Sequence, residues 1–282
     1  MTRTVRDSAA LLEATSAPDP GASCPAPIKE RSFLEDVGSK IGALKIGFLS
    51  AIPRGWHAEC GVIHPECRYA VEDGARLCED LGHLVEEIDP EELSFPDLYR
   101  GFGIIWCSYL VHVIQRWEKI LGREITGDHL EAHTWTSYRA GLKRTGGDYL
   151  TAVSGIQRFS RKMAQWYDCG GYDMILSPTT ILPPVKLGAF QGTPQDPMMW
   201  ARMSGAFLAM TYAYNLTGQP AMSVPLFWTG QGVPIGVQFA GRYGEEALLI
   251  RLASQLEEAR PWAERIPNLK GKPQPQHHCE KE

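Results

Sequence analysis

Hydrophobic positions in the first ninety residues alternate between helical and strand spacing. A capping pattern followed by helical spacing predicts a first helix over residues 5–13. Residues 45–51 alternate and end in apolar side chains, as a buried strand does, and residues 84–88 form a second such run. Between them, residues 67–81 place apolar side chains on one helical face. The strand, helix, strand order predicts a right-handed crossover between two parallel strands.

A helical pattern fills the middle of the chain, over about residues 91–171. Two helices are predicted around residues 127–142 and 149–167, after a first long one. Because a tryptophan or phenylalanine at helical spacing usually packs, we interpret the aromatic side chains of the first helix as core. Steps of three and four residues predict that its single apolar face consists of Phe95, Leu98, Phe102, Ile105, Tyr109, Val113 and Trp117.

The last hundred residues return to short apolar runs. A strand is predicted over residues 174–177, a helical segment over 203–214, and two strands over 221–227 and 235–239. Turn-forming residues separate the last two strands, and a helix with one apolar face begins at Glu245. The chain therefore belongs to the α/β class and ends in a strand, turn, strand, helix unit.

That final unit carries a specific resemblance. It contains Asn215-Leu-Thr-Gly-Gln-Pro-Ala-Met-Ser-Val-Pro225, and Gly232-Val-Pro-Ile-Gly-Val-Gln238 follows after a short turn. This order resembles the C-terminal region of the amidase signature family, serine hydrolases that cleave carboxamide C–N bonds. The match is distributed and no single motif carries it. Further segments that agree with it are residues 1–12, 17–21, 172–184 and 258–262.

The resemblance implies a mixed sheet flanked by helices, with the N-terminal part of the family fold missing. Residues 1–267 would be the C-terminal portion of an amidase-like domain, and Met1 would correspond to an internal methionine of a longer enzyme. The helices of about residues 91–171 would be an insertion that packs across the sheet and shapes the substrate opening. Composition predicts that residues 268–282 form a disordered tail.

The catalytic residues of the resembled family are expected to be absent. In that family a serine attacks the amide carbon, a second serine relays a proton and a neutral lysine is the base. All three precede the segment that resembles residues 1–12. This chain contains no Ser-Ser pair, and its first lysine, Lys29, lies in a polar loop beyond that segment. No other hydrolase, phosphate-binding or dinucleotide-binding motif is present, so we assign no catalytic residue and no cofactor.

Four residues are predicted to line a substrate pocket. Thr179 and Thr180 follow the strand over residues 174–177, and loops at strand ends commonly meet ligands. Asn215 opens the most specific motif, and Trp200 would add an apolar wall. The alternative for Thr179, Thr180 and Asn215 is ordinary turn and cap chemistry, and for Trp200 it is packing in the core.

Composition excludes several classes of function. A net charge of −5 favours neither nucleic acid nor an anionic membrane as a partner, and no apolar run approaches the length of a membrane span. The polar N-terminus is unlike a secretory signal, so the cytoplasm is the predicted location. Seven cysteines without Cys-x-x-Cys spacing indicate free, mostly buried thiols, and no metal site is predicted.

The predicted function is hydrolysis of carboxamide C–N bonds through a serine acyl-enzyme, with this chain as the C-terminal portion and inactive alone. The alternative is a non-catalytic fragment or a subunit that binds a partner. An amidotransferase subunit is disfavoured by the short ending after Arg260. Expected partners are a small-molecule amide and either the missing part or a second copy of the chain. Uncovered strand edges predict poor solubility of the isolated chain.

Overall fold

The computed structural model describes residues 1–17, 20–22, 27–56, 61–190, 193 and 195–267. The side chains of Trp200 and Ala206 lie outside that description, as does the predicted tail over residues 268–282.

The described part of the chain contains one mixed sheet of five strands in the order β2-β1-β3-β5-β4. β1 pairs in parallel with β2 and β3, whereas β5 runs antiparallel to β3 and β4. The predicted parallel pair and the C-terminal hairpin are therefore confirmed. The strands are β1 (Lys45–Phe48), β2 (Leu84–Glu87), β3 (Met174–Pro178), β4 (Ala221–Trp228) and β5 (Pro234–Gly241).

Nine α-helices accompany the sheet in the described residues. The first follows the predicted start closely, with the Thr4 hydroxyl accepting the Asp7 backbone N–H. The short second helix, residues 33–36, was not predicted, and the others agree with the predicted helical regions except where stated below. They are α1 (Val5–Thr15), α2 (Phe33–Asp36), α3 (Pro65–Asp80), α4 (Leu98–Leu121), α5 (Ala132–Gly141), α6 (Gly146–Gly170), α7 (Met199–Leu208), α8 (Tyr212–Thr217) and α9 (Glu246–Ala259).

The core lies where helices pack on the central strands. All five residues of β3 are buried, as expected for a strand with neighbours on both sides and helices over it. Helix α3 packs against β2, β3, β4 and β5, and α9 packs against β4 and β5. In the same core, the ring of the buried Trp56 contacts Phe159 and Tyr214 edge-on, at centroid distances of 6.1 and 5.8 Å. This layering is the predicted mixed sheet flanked by helices.

The buried face of α4 differs from the predicted one. Leu110 and Ile114 are buried, Ile114 in a cluster with Tyr138 of α5, whereas Tyr109 and Trp117 are 55% and 52% exposed. The expectation that the whole stripe packs in the core was therefore wrong at Tyr109 and Trp117. Local spacing defines an apolar stripe, but the packing of α5 and α6 against α4 decides which edge of a broad stripe is covered.

The predicted helical segment over residues 203–214 is two helices. α7 ends at Leu208 and α8 begins at Tyr212, and the Thr211 hydroxyl donates to the Leu208 carbonyl between them. A threonine hydroxyl that takes a nearby carbonyl competes with continuation of the helix. The separate α8 turns the chain toward β4.

Within the described ranges, no helix combines the length and the apolar character that a membrane span requires. The cytoplasmic location stays a prediction.

Candidate functional site

A pair of hydroxyl groups lies at the carboxyl end of β3. Thr179 Oγ1 is 2.6 Å from Ser223 Oγ of β4, and either oxygen can donate the hydrogen. The backbone of Thr179 is held by its own N–H, which donates to the Gly236 carbonyl of β5 over 3.1 Å. Both hydroxyls are thus fixed by the sheet and not by a loop alone.

Gly236 makes this approach possible. A Cβ at position 236 would clash with Ser223 Oγ and lie 2.8 Å from Thr179 Oγ1. A glycine in a strand often marks a close approach of other groups, which is the case here. The missing side chain leaves the space in which the two hydroxyls meet.

Gln238 joins the same end of the sheet to the start of α8. Its side chain is buried, and Nε2 donates to Ser177 Oγ at 3.1 Å and to the Met210 carbonyl at 3.0 Å. Ser177 and Ser223 are the partners of Gln238 in the two neighbouring strands. A buried amide with both N–H groups used fixes the backbone near Met210 relative to β3.

An aromatic row extends from the start of α8 along α4. The Tyr212 ring lies 5.6 Å from Tyr99 and 4.6 Å from Phe102, centroid to centroid. Phe102 stacks with Trp106 at 6.4 Å, and Trp106 meets Tyr109 at 6.2 Å. We call these five residues the aromatic row. The row is buried at Tyr212 and exposed at Tyr109, so it forms a continuous apolar surface from core to solvent.

Tyr212 of the aromatic row and Tyr214 of the same helix favour their neutral form. Burial, and secondarily the Tyr99 side chain, raises the pKa of Tyr212 to about 12. Burial also raises the pKa of Tyr214, whose hydroxyl oxygen is buried without a hydrogen-bond partner among the described residues. Neither phenol is therefore suited to act as a base near neutral pH.

The structure brings only part of the predicted pocket set together. Thr179 joins the hydroxyl pair, but the Thr180 hydroxyl donates to the Leu182 carbonyl over 2.9 Å, which is turn chemistry. Asn215 is exposed on α8, and its backbone N–H donates to Thr211. The side chain of Trp200 is outside the described residues. The pocket assignment of all four therefore stays a prediction.

Sequence inspection missed Ser223 and Gln238. Both lie inside the motif that supports the family resemblance, but a single sequence does not reveal which side chains of paired strands meet. The available signal was Gly236, because a glycine inside a predicted strand suggests that neighbouring groups approach closely.

A serine and a histidine also meet on α5. Ser137 Oγ lies 3.4 Å from His133 Nε2, one turn away along the helix. Burial lowers the pKa of His133, and the nearby Glu131 carboxylate partly opposes this effect. The distance exceeds the range of a working nucleophile and base pair, and Ser137 is buried, so we assign it no catalytic role. In the part of the chain that the structure describes, no group of three or more His, Cys, Asp or Glu residues is placed to hold a metal ion.

A groove opens at the opposite end of the sheet. Its walls come from α6, from the α8–β4 connection and from the β5–α9 connection, and its volume is about 590 Å³. Arg242 lies at its base and donates to the carbonyls of Tyr172 and Tyr167 at 3.0 and 2.9 Å. The Arg242 guanidinium is paired with Asp168 and lies 5.7 Å from the Tyr167 ring centroid.

Comparisons with known proteins agree with the fold. The model of the amidase family matches residues 1–250. The chain is 32% identical over 272 residues to the 6-aminohexanoate-cyclic-dimer hydrolase of Paenarthrobacter ureafaciens, covering 95% of this chain and 54% of that protein. It is 32% identical over 221 residues to the putative amidase AmiC of Mycobacterium leprae, covering 76% of this chain and 44% of that protein.

Solved structures are similar in the same region. The structure of a 6-aminohexanoate cyclic dimer hydrolase superposes with a TM-score of 0.85 at 31% identity, covering 95% of this chain and 55% of that one. A bacterial aryl acylamidase of the amidase signature family gives a TM-score of 0.73 at 20% identity, which shows the fold alone and covers 94% of this chain and 53% of that one. The chain thus spans about half the length of the relatives it matches.

Proposed function

Because this chain belongs to the amidase family, we propose that it is the C-terminal portion of an enzyme that hydrolyses carboxamide C–N bonds. The observation that carries the proposal is the 32% identity to a 6-aminohexanoate-cyclic-dimer hydrolase over 95% of this chain. Since the match covers 54% of that relative, the activity of a whole enzyme is part of the proposal.

The proposed chemistry is acyl transfer through a serine. The serine oxygen attacks the amide carbon, the C–N bond breaks, and the amine leaves with a proton that a serine–lysine relay delivers. Water then attacks the acyl-enzyme ester and releases a carboxylate and the free serine. The relay and the nucleophile are proposed to come from polypeptide outside this sequence, because the 282 residues contain no Ser-Ser pair.

This chain would supply one wall of the substrate pocket. Thr179 and Ser223 together can donate and accept hydrogen bonds, which suits an amide with its carbonyl and N–H groups. The aromatic row offers an apolar surface to the rest of the substrate. A pocket with few polar groups beside an apolar wall is the usual composition of a small-molecule site.

The alternative is a non-catalytic fragment or a partner-binding subunit. The same absence of a Ser-Ser pair favours it for the isolated chain, which we expect to be poorly soluble and inactive. The two proposals differ in what happens when the other half of an amidase is supplied.

A reconstitution assay tests the proposal. The purified chain is incubated with an aryl amide, alone and after co-expression with the first half of the Paenarthrobacter ureafaciens relative. We expect no turnover alone, and turnover that a serine-directed phosphonate abolishes after co-expression. Phosphonate-sensitive turnover by the chain alone would contradict the assignment of the nucleophile to another polypeptide. A complex that forms without turnover would favour the non-catalytic alternative.

A further inference from the structure

We propose that the groove beside α6 is a second binding site, which takes small zwitterions with a carboxylate and an ammonium joined by an apolar body. It is separate from the hydroxyl pair. Thr179 follows the carboxyl end of β3, whereas Arg242 follows Gly241, the partner of Met174 at the other end of that strand. Thr179 is five residue steps from Met174, about 16 Å at the rise of an extended chain.

The size of the groove suits a small molecule. Its volume of about 590 Å³ lies within the roughly 300–1,000 Å³ of ordinary ligand pockets. One wall is α6, and the other is formed by the connections that precede β4 and α9. The α6 wall is tied to β5 by the Tyr167 hydroxyl, which donates to the Ala240 carbonyl over 2.9 Å.

The charges at the base of the groove are already balanced. Arg242 is fixed by two backbone carbonyls and by its ion pair with Asp168. A guanidinium bound in this way is part of the scaffold, and its carboxylate partner adds no net charge. The ligand must therefore be recognised by the remaining charged groups.

Those remaining groups are Arg161 and Glu245, one on each wall. Arg161 lies on α6 and makes no ion pair with the residues that the structure describes. Glu245 occupies the N-cap position of α9, yet its side chain makes no capping hydrogen bond. One cation and one anion therefore face a shared groove without being paired to each other. A ligand whose carboxylate binds Arg161 and whose ammonium binds Glu245 gives each of these side chains an ion-pair partner.

The lining of the groove is more apolar than polar, although Gln157, Ser160, Thr217 and Gln219 also contribute to it. Ala164 lies one turn beyond Arg161 on the α6 wall, and the Tyr243 ring, 57% exposed, lies on the wall of Glu245. Tyr243 lies beside Gly218, where an added Cβ would be 3.6 Å from its ring. Rings and methyl groups in a groove that also holds two charged side chains favour a ligand with an alkyl or aryl body over a fully polar one. The proposal concerns binding alone and does not depend on the proposed function.

Calorimetric titration of the purified chain with a series of aminoalkanoates tests the proposal. The matched probes are hexanoate and hexylamine, which each keep one charged end of 6-aminohexanoate. We expect at least one aminoalkanoate to bind at least threefold more tightly than either single-ended probe. Arg161→Gln should abolish the tighter binding of the aminoalkanoate relative to hexylamine. Glu245→Gln should abolish its tighter binding relative to hexanoate.

Arg158→Gln is the control, because Arg158 is an exposed arginine on the same helix that does not line the groove. It should leave the affinity within a factor of 1.5 by the same titration, and circular dichroism of each variant should match that of the parent. No saturable binding of any aminoalkanoate, or equal loss of affinity in all three variants, would overturn the proposal.

Discussion

The hydroxyl groups of Thr179 and Ser223 meet across a strand that belongs to neither of them. Thr179 follows β3 and Ser223 lies in β4, and β5 runs between these two strands. Strands two positions apart are separated by about 9.6 Å, so side chains from both must reach over the middle strand. Their oxygens come within 2.6 Å because Gly236 of β5 has no side chain at that point.

Gly236→Ala should therefore break the hydroxyl pair. The added methyl group overlaps Ser223 Oγ and crowds Thr179 Oγ1, and overpacking of this kind costs about 1–3 kcal/mol in the free energy of unfolding. Urea denaturation measures this loss of unfolding free energy. Gly230→Ala in the β4–β5 turn is the control, since a Cβ there meets no atom within 4 Å. Equal stabilities of the two variants would contradict the crowding argument.

Ser223→Ala tests whether the pair contacts substrate. In the reconstituted enzyme, loss of a neutral hydrogen bond worth about 0.5–1.5 kcal/mol should lower kcat/KM by a factor of roughly 2 to 13. The comparison is Ser254→Ala on α9, where the lost hydroxyl only donates to the Ile250 carbonyl. A purely structural pair would instead leave kcat/KM unchanged and lower only the melting temperature.

Substitution of the buried Asp36 should lower the free energy of unfolding substantially. Its carboxylate is 1% exposed, and Oδ1 accepts from Arg31 Nε at 2.8 Å and from Arg251 Nε at 2.7 Å. Asp36→Ala leaves two arginines without a shared acceptor. Because both arginines keep about a third of their side chains in water, we expect a loss of about 2–3 kcal/mol in unfolding free energy, just below the range of about 3–5 kcal/mol for a fully buried pair.

Asp168→Ala is the matched change at an exposed ion pair. Asp168 pairs with Arg242 but is 71% exposed, so the loss should be at most about 1 kcal/mol. Urea denaturation of both variants gives the comparison. A larger effect at Asp168 would contradict the burial argument.

His133 should make stability depend on pH. Burial holds its pKa below the ordinary value of 6.5, so the folded chain resists a proton that the unfolded chain accepts. Its effect is absent above pH 6.5, grows as the pH falls through the window between 6.5 and the lower folded value, and then becomes constant. The unfolding free energy of the parent should thus fall more between pH 7 and pH 5 than that of His133→Gln. His112→Gln, at an exposed position on α4, should keep the parental slope.

The described cysteines should differ widely in reactivity. Burial raises the pKa of Cys67 and Cys78 to about 12, and that of Cys107 also lies above its ordinary value. Cys169 is exposed. Because the thiolate is the reactive form, iodoacetamide at pH 8 should modify Cys169 first, and Cys67 and Cys78 only in denaturant. Peptide mass spectrometry measures the order, and labelling of Cys78 as fast as Cys169 would contradict it.

The C-terminal unit illustrates how much the chain's own pattern predicts. The two strands, their turn and the helix after them were all expected from short apolar runs and from helical spacing, and the structure has them as β4, β5 and α9. The motif around Asn215 also indicated the family correctly. These properties depend on neighbours within a few residues, which a single sequence contains.

The site depended on contacts that no local pattern contains. Gln238 Nε2 donates to the Met210 carbonyl, 28 residues earlier in the chain. The exposure of Tyr109 and Trp117 likewise depends on how α5 and α6 pack against α4. The break between α7 and α8 is different, because the Thr211 hydroxyl donates to the Leu208 carbonyl only three residues before it.

The sequence by itself determined the α/β class, the family and the absence of a Ser-Ser pair, because each is a property of residue type and spacing. Only the tertiary structure decided that Thr179 meets Ser223 and that Arg161 and Glu245 face one groove. The physical reason is distance along the chain: 44 residues separate Thr179 from Ser223, and only the pairing of β3, β5 and β4 brings their hydroxyls together.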